Sequence, residues 1–233
     1  MSLIKRNLHS VQQRIHNACR QSGRDPKDVQ LLAASKRTDA NGVKEAIELG
    51  HLLFGENRAQ SLRDKHDIVA AEHPQAEWHF IGHLQKNKVK YIVGRASMIH
   101  SVDSIELAHS ISQRITSQRN IGRSIPDMKV LVQAKFGTED SKTGLPAENV
   151  LALCREIIHI DHVKLCGLMT IPPLIGEPKK WFQQLADLAK SGRSEGLPLH
   201  ELSMGMTSDL EDAIECGSTI IRVGTAIFCE NNQ

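Results

Sequence analysis

Aromatic side chains are scarce in this 233-residue chain, which has two tryptophans, one tyrosine and five phenylalanines. A base-stacking platform for single-stranded nucleic acid needs more of them. An excess of one charge is also missing. Lys and Arg number 29 against 27 Asp and Glu, for a formal net charge of +2. That balance argues against nucleic acid or an anionic membrane surface as partner. The five cysteines (Cys19, Cys154, Cys166, Cys216, Cys229) are odd in number and far apart, with no C-x-x-C. They read as free thiols of a reducing compartment, Cys166 lying in an apolar core run. No apolar run is long enough to span a bilayer, and the N-terminus, MSLIKRNLHSVQQRIHNA, lacks the features of a secretion signal. A cytosolic protein is expected.

What is present is a regular alternation. Leu3, Ile4, Leu8, Val11, Ile15 and Ala18 share one face of an opening amphipathic helix over about 1–25. Eight strand-like runs follow: 31–36, 51–55, 77–82, 97–102, 128–134, 163–169, 199–204 and 218–223. Helical stretches separate them, including 57–72, 84–94, 103–119 and 208–216. Eight such units predict a parallel sheet closed into a (β/α)8 barrel, with residues 1–233 forming one domain. The alternative, an open doubly wound sheet, lacks its G-x-G-x-x-G after the first strand.

In such a barrel, chemistry sits at the C-terminal ends of the strands. The run LLAASK ends in Lys36, whose amine, half out of an apolar wall, loses its proton more readily than one in water. A neutral amine is what Schiff-base chemistry needs. Taken alone, Lys36 is an ordinary strand-end lysine; its neighbours at other strand ends give it meaning. After the seventh strand, Gly205 allows close backbone approach, Thr207 carries a hydroxyl, and Ser208-x-x-Glu211 predicts a capping box opening a helix. After the eighth, Gly224 and Thr225 offer amides and a hydroxyl for an anion. The two loops occupy the frequent phosphate site of barrel proteins. Arg222, on an otherwise apolar strand, is either a salt-bridged arginine in a barrel layer or a permanent cation facing a ring nitrogen.

With these stretches go Phe54-Gly55-Glu56-Asn57, the run from Trp78 to Lys88 (WHFIGHLQKNK) and the run from Gly167 to Pro172 (GLMTIP). Together they resemble the pyridoxal phosphate homeostasis protein family, in order, from about Leu31 to Phe228. The resemblance implies a single barrel like the N-terminal domain of alanine racemase, without that enzyme's second, β-rich domain. It implies pyridoxal 5′-phosphate as cofactor, held as a Schiff base on Lys36. Asn57 would lie near the ring, Thr207, Gly224 and Thr225 at the phosphate, and Arg222 at the pyridine nitrogen. Thr207 stands where the family usually has serine.

A two-base racemase needs an acid/base opposite the lysine. The only tyrosine, Tyr91, falls in a helical stretch outside the barrel. Cofactor binding without robust catalysis is therefore the main reading: a protein that keeps a reactive aldehyde available, with PLP-dependent apoenzymes as recipients and a monomer as default. A PLP-dependent racemase and a PLP-free Schiff-base aldolase are the alternatives. His79-x-x-x-His83 has metal spacing, but its first member is on a strand, so no metal site is assigned. Lys142 is a second amine near the mouth, or an exposed loop lysine. Lys86, Lys88 and Lys90 read as a solvated helix face.

Overall fold

A computed structural model describes residues 2–137, 143–173 and 176–230. Eight parallel strands form a closed barrel: β1 (Gln30–Ala34), β2 (Leu53–Glu56), β3 (Glu77–Phe80), β4 (Met98–Val102), β5 (Met128–Lys135), β6 (Val163–Thr170), β7 (Glu201–Ser203) and β8 (Ile220–Val223). The β4–β5 pairing closes the ring, and β1 lies between β2 and β8. The expected barrel is thus the observed one. A two-residue bridge, Leu145–Pro146, pairs with Ala134 and Lys135 at the C-terminal end of β5.

Two apolar layers hold the barrel together. Outward-facing strand residues such as Phe54, Trp78, Phe80 and Ile99 pack beneath the helices, while Leu32, Ala34, Met98, Leu131, Met169 and Ile220 fill the interior. Period-two alternation separates the two sets. Gly167 on β6 is required by packing: a Cβ there would lie 1.9 Å from the Glu201 carbonyl oxygen on β7.

The first helix, α1 (Leu3–Gln21), is capped by Ser2, whose side chain accepts from the Lys5 amide at 3.2 Å. Its buried face carries Leu8, Val11 and Ile15, each worth roughly 1.5–3 kcal/mol of transfer free energy. Next come α2 (Ala40–Glu48), α3 (Ala59–Val69), α4 (Val89–Ile92), α5 (Ile105–Asn120), α6 (Ala147–Ile157), α7 (Pro178–Ser194), α8 (Leu210–Glu215) and the one-turn α9 (Thr225–Phe228).

The helix expected over 84–94 is reduced to a 3-10 turn, Lys86–Lys88, and the single turn α4. Leu84 is buried, but the positions three and four residues on are Asn87 and Lys88, so the apolar face resumes only with Val89, Ile92 and Val93. The capping box also fails. Asp209, not Ser208, is the N-cap residue of α8, and its carboxylate accepts from the Met206 amide at 2.6 Å. Glu211 turns outward to Arg14 at 2.8 Å. An acidic side chain one residue nearer the helix folds the preceding loop back on itself, and Ser208 is left exposed.

Candidate functional site

At the C-terminal ends of the strands lies a cavity of about 250 Å³. It gathers all six residues singled out from the sequence: Lys36, Asn57, Thr207, Arg222, Gly224 and Thr225. Ile81, His83, Gln133, Thr143, Ile171 and Met206 also line it, and none of its described lining residues is acidic. A larger, more open cleft of about 490 Å³ sits at the opposite end of the barrel, around Leu31, Leu53 and Glu77. It holds no lysine or arginine, so aldehyde and anion chemistry belong to the smaller cavity.

Lys36 lies two residues past β1, on the 3-10 turn Ser35–Arg37, and its side chain is exposed. It stands further out than expected: the strand ends at Ala34 and the turn carries the lysine beyond the core, though Ala34, Ile81 and Ile171 line the same cavity. Beneath it, Ser35 is buried and donates to Glu56 Oε1 at 3.0 Å. Lys65 donates to the Ser35 carbonyl at 2.6 Å and ion-pairs with the same carboxylate. Glu56 Oε2 accepts the Asn57 amide at 3.1 Å. One buried carboxylate therefore fixes both the Lys36 turn and Asn57. Gly82 is needed beside it, because a Cβ would come within 2.1 Å of the Asn57 carbonyl oxygen.

Arg222 is buried on β8, in register with Leu32 of β1. Its guanidinium donates to Ser203 Oγ at 2.7 Å and to the Thr170 carbonyl at 2.9 Å. Burial lowers its pKa to about 10, with Asp209 opposing the shift, so it is a cation at neutral pH. The salt-bridge alternative is not realised among the described residues, where Arg222 has no carboxylate partner.

The side expected to take an anion consists of two loops. Gly205 has φ +92°, and a Cβ there would lie 2.5 Å from the Ala213 Cβ. The Thr207 carbonyl is held by Arg14 of α1 at 2.9 Å, and its side chain lines the cavity with no hydrogen bond of its hydroxyl seen among the described residues. Gly224 caps α9 without a side chain, so the first helical amides, Thr225 and Ala226, have no intrahelical acceptor. The site thus offers a primary amine, a buried cation and free hydroxyl and amide donors, with no acid on its described wall. Such a set has the chemistry to take an aldehyde at the amine and an anionic group at the donors.

Tyr91 is not part of it. It lies on α4, with the Arg63, Lys88 and Lys90 cations 5.0, 5.7 and 5.2 Å from its ring centre. Two of the three lysines read as a solvated face thus cover a ring. His79 is buried inside the barrel, while His83 is at the mouth with Asp103 at 3.6 Å, so the two do not converge. Lys142 falls outside the described residues. Sequence reasoning missed Gln133 and Ile171 in the cavity wall. Gln133 shares the inward parity of Leu131 on β5, which is the signal that finds it.

A model of the alanine racemase N-terminal domain family matches residues 4–232. A pyridoxal phosphate homeostasis protein from Aquifex aeolicus is 39% identical over 227 residues, covering 96% of each chain. Among solved structures, an unknown protein from Bifidobacterium adolescentis superposes with TM-score 0.90 at 34% identity, over 97% of this chain and 94% of that one. PipY of Synechococcus elongatus, solved with PLP bound, superposes with TM-score 0.79 at 33% identity, over 97% and 99%.

Proposed function

The chain belongs to the alanine racemase N-terminal domain family, among the pyridoxal phosphate homeostasis proteins, and on that premise we propose that it binds pyridoxal 5′-phosphate for cofactor homeostasis, carrying it as a Schiff base on Lys36. The observation that carries this is a cavity joining the Lys36 amine, the Arg222 cation and two loops of free donors, with no acid on its described wall. Thr207, Gly224 and Thr225 take the phosphate, and Asn57, fixed through Glu56, borders the ring.

When bound, the cofactor supplies an aldehyde that condenses with primary amines and a ring that draws electrons. Arg222 limits the second property. It is a cation with N–H donors only, so it would hydrogen-bond an unprotonated ring nitrogen and repel a protonated one, leaving the ring a weak electron sink. The site is built to hold the aldehyde. Free cysteines throughout suit a cytosolic setting, and we read the protein as a monomeric barrel that yields its cofactor to PLP-dependent apoenzymes.

The test is a visible spectrum before and after borohydride, with peptide mapping. A yellow protein whose reduced pyridoxyl group maps to Lys36, and is lost in Lys36→Ala, is expected. Protein that stays colourless and unlabelled with added pyridoxal phosphate overturns the reading.

A further inference from the structure

Arg222 is one end of a chain of polar side chains that crosses the barrel interior. Ser203 Oγ, which accepts from Arg222 at 2.7 Å, lies 2.8 Å from His100 Nδ1. His100 Nε2 lies 2.9 Å from His79 Nδ1, and His79 Nε2 lies 3.3 Å from Glu77 Oε1. Ser203 and His100 are wholly buried and His79 is 2% exposed. Glu77 emerges at the far end, in the cleft at the N-terminal ends of the strands, where it also accepts from Ser97 Oγ at 2.7 Å.

The direction of every bond in this chain follows from its ends. A guanidinium only donates, so Ser203 accepts from Arg222, and its single hydrogen must go to His100 Nδ1. From the other end, a carboxylate only accepts, so His79 carries a hydrogen on Nε2, and in the neutral ring Nδ1 then accepts. His100 therefore also carries its hydrogen on Nε2. The two derivations meet at the same tautomer of His100 when His79 is neutral. Reversing any link leaves a hydrogen without an acceptor in a dry interior, or sets two donors face to face.

We propose that Ser203 and His100 are positioning residues for the Arg222 cation, held by a one-way hydrogen-bond chain through two neutral Nε2–H histidines to Glu77. The chain occupies one guanidinium nitrogen and the Thr170 carbonyl a second. That aims the guanidinium at the cavity and joins a buried positive charge to a negative one on the opposite face. Dipoles aligned between opposite charges stabilise both.

The assignment of tautomers stands without any ligand; the link to the cavity rests on the proposed function, and two measurements separate them. Long-range ¹⁵N–¹H NMR of ligand-free wild-type protein at pH 7 is expected to show His79 and His100 as neutral Nε2–H imidazoles. An Nδ1–H tautomer or an imidazolium at either residue overturns the chain. The second measurement is pyridoxal phosphate affinity and the absorption maximum of the bound form in Ser203→Ala and Ser203→Thr. Ser203→Ala is expected to weaken binding about five- to tenfold and shift the band. Ser203→Thr, which keeps the hydroxyl, is expected to stay within about twofold of wild type. Equal behaviour of the two variants overturns the positioning role. Wild-type protein that takes up no pyridoxal phosphate overturns the proposed function, and the NMR then decides the chain alone.

Discussion

Glu56 and Glu77 are both carboxylates at strand ends, and their surroundings give them opposite vulnerabilities. Glu56 is 1% exposed and neutralised by Lys65, itself mostly covered. Glu56→Gln keeps the shape but leaves the ammonium unpaired, and a loss of about 3 kcal/mol in urea denaturation is expected. Because the same carboxylate holds Asn57 and the Lys36 turn, cofactor affinity should fall with it. Glu77 is half exposed, and the His79 hydrogen bond lowers its pKa to about 2. A carboxyl bound more weakly by protons in the folded state stabilises the fold above its unfolded value near 4.5. That contribution is lost as pH falls through 2. Melting temperature should drop over this window in wild type, and less steeply in Glu77→Gln. At the same scale, burial pushes the Cys154 thiol up to about 12, so it should resist thiol reagents at pH 8 in the native protein and react once unfolded.

At the scale of elements, α1 secures both loops of the proposed phosphate site from outside the barrel. Arg14 holds the Thr207 carbonyl and Glu211, and the Asn7 side chain donates to the Ile227 and Cys229 carbonyls at 3.1 and 3.2 Å. The Arg14–Glu211 pair is solvent-exposed, so Arg14→Ala should cost at most about 1 kcal/mol while speeding pyridoxal phosphate release several-fold. Asn7→Ala strips a buried donor from two carbonyls, and about 1–3 kcal/mol is expected in the same denaturation assay. This clasp was invisible in the sequence: an amphipathic helix announces its apolar face, not the polar residues at its rim that meet a partner some two hundred positions away. The strands were legible because runs such as MKVLVQA are buried on both faces. Arg222 and the Gly-Thr turn stood out for the same reason, as polar interruptions at the end of STIIRV. His79 and His100 were harder to interpret. Each has inward parity, sharing a face with Ile81 and Met98, but parity says only that a residue points inward, not that it meets another polar one there. The misplaced cap of α8 has the same origin, since Ser208 and Asp209 both suit the position and only tertiary contacts choose between them.

For the whole molecule, the cavity is a joint between the first strand and the last, so filling it should resist unfolding everywhere at once. Pyridoxal phosphate at a hundredfold excess over its dissociation constant adds about 2.7 kcal/mol. For a chain of this size that raises the melting temperature by roughly 5–10 °C. Lys36→Ala should show a smaller rise in differential scanning fluorimetry. The pairing of Gln30 with Ile220, and of Asn7 with the Ile227 carbonyl, also bears on how the protein comes into being. A ribosome delivers β1 long before β8, and until then one edge of β1 is an open template for wrong partners. Barrel closure waits for β8 to leave the exit tunnel. The nascent chain therefore carries an unpaired strand edge until β8 emerges, and its cofactor cavity is complete only from then on.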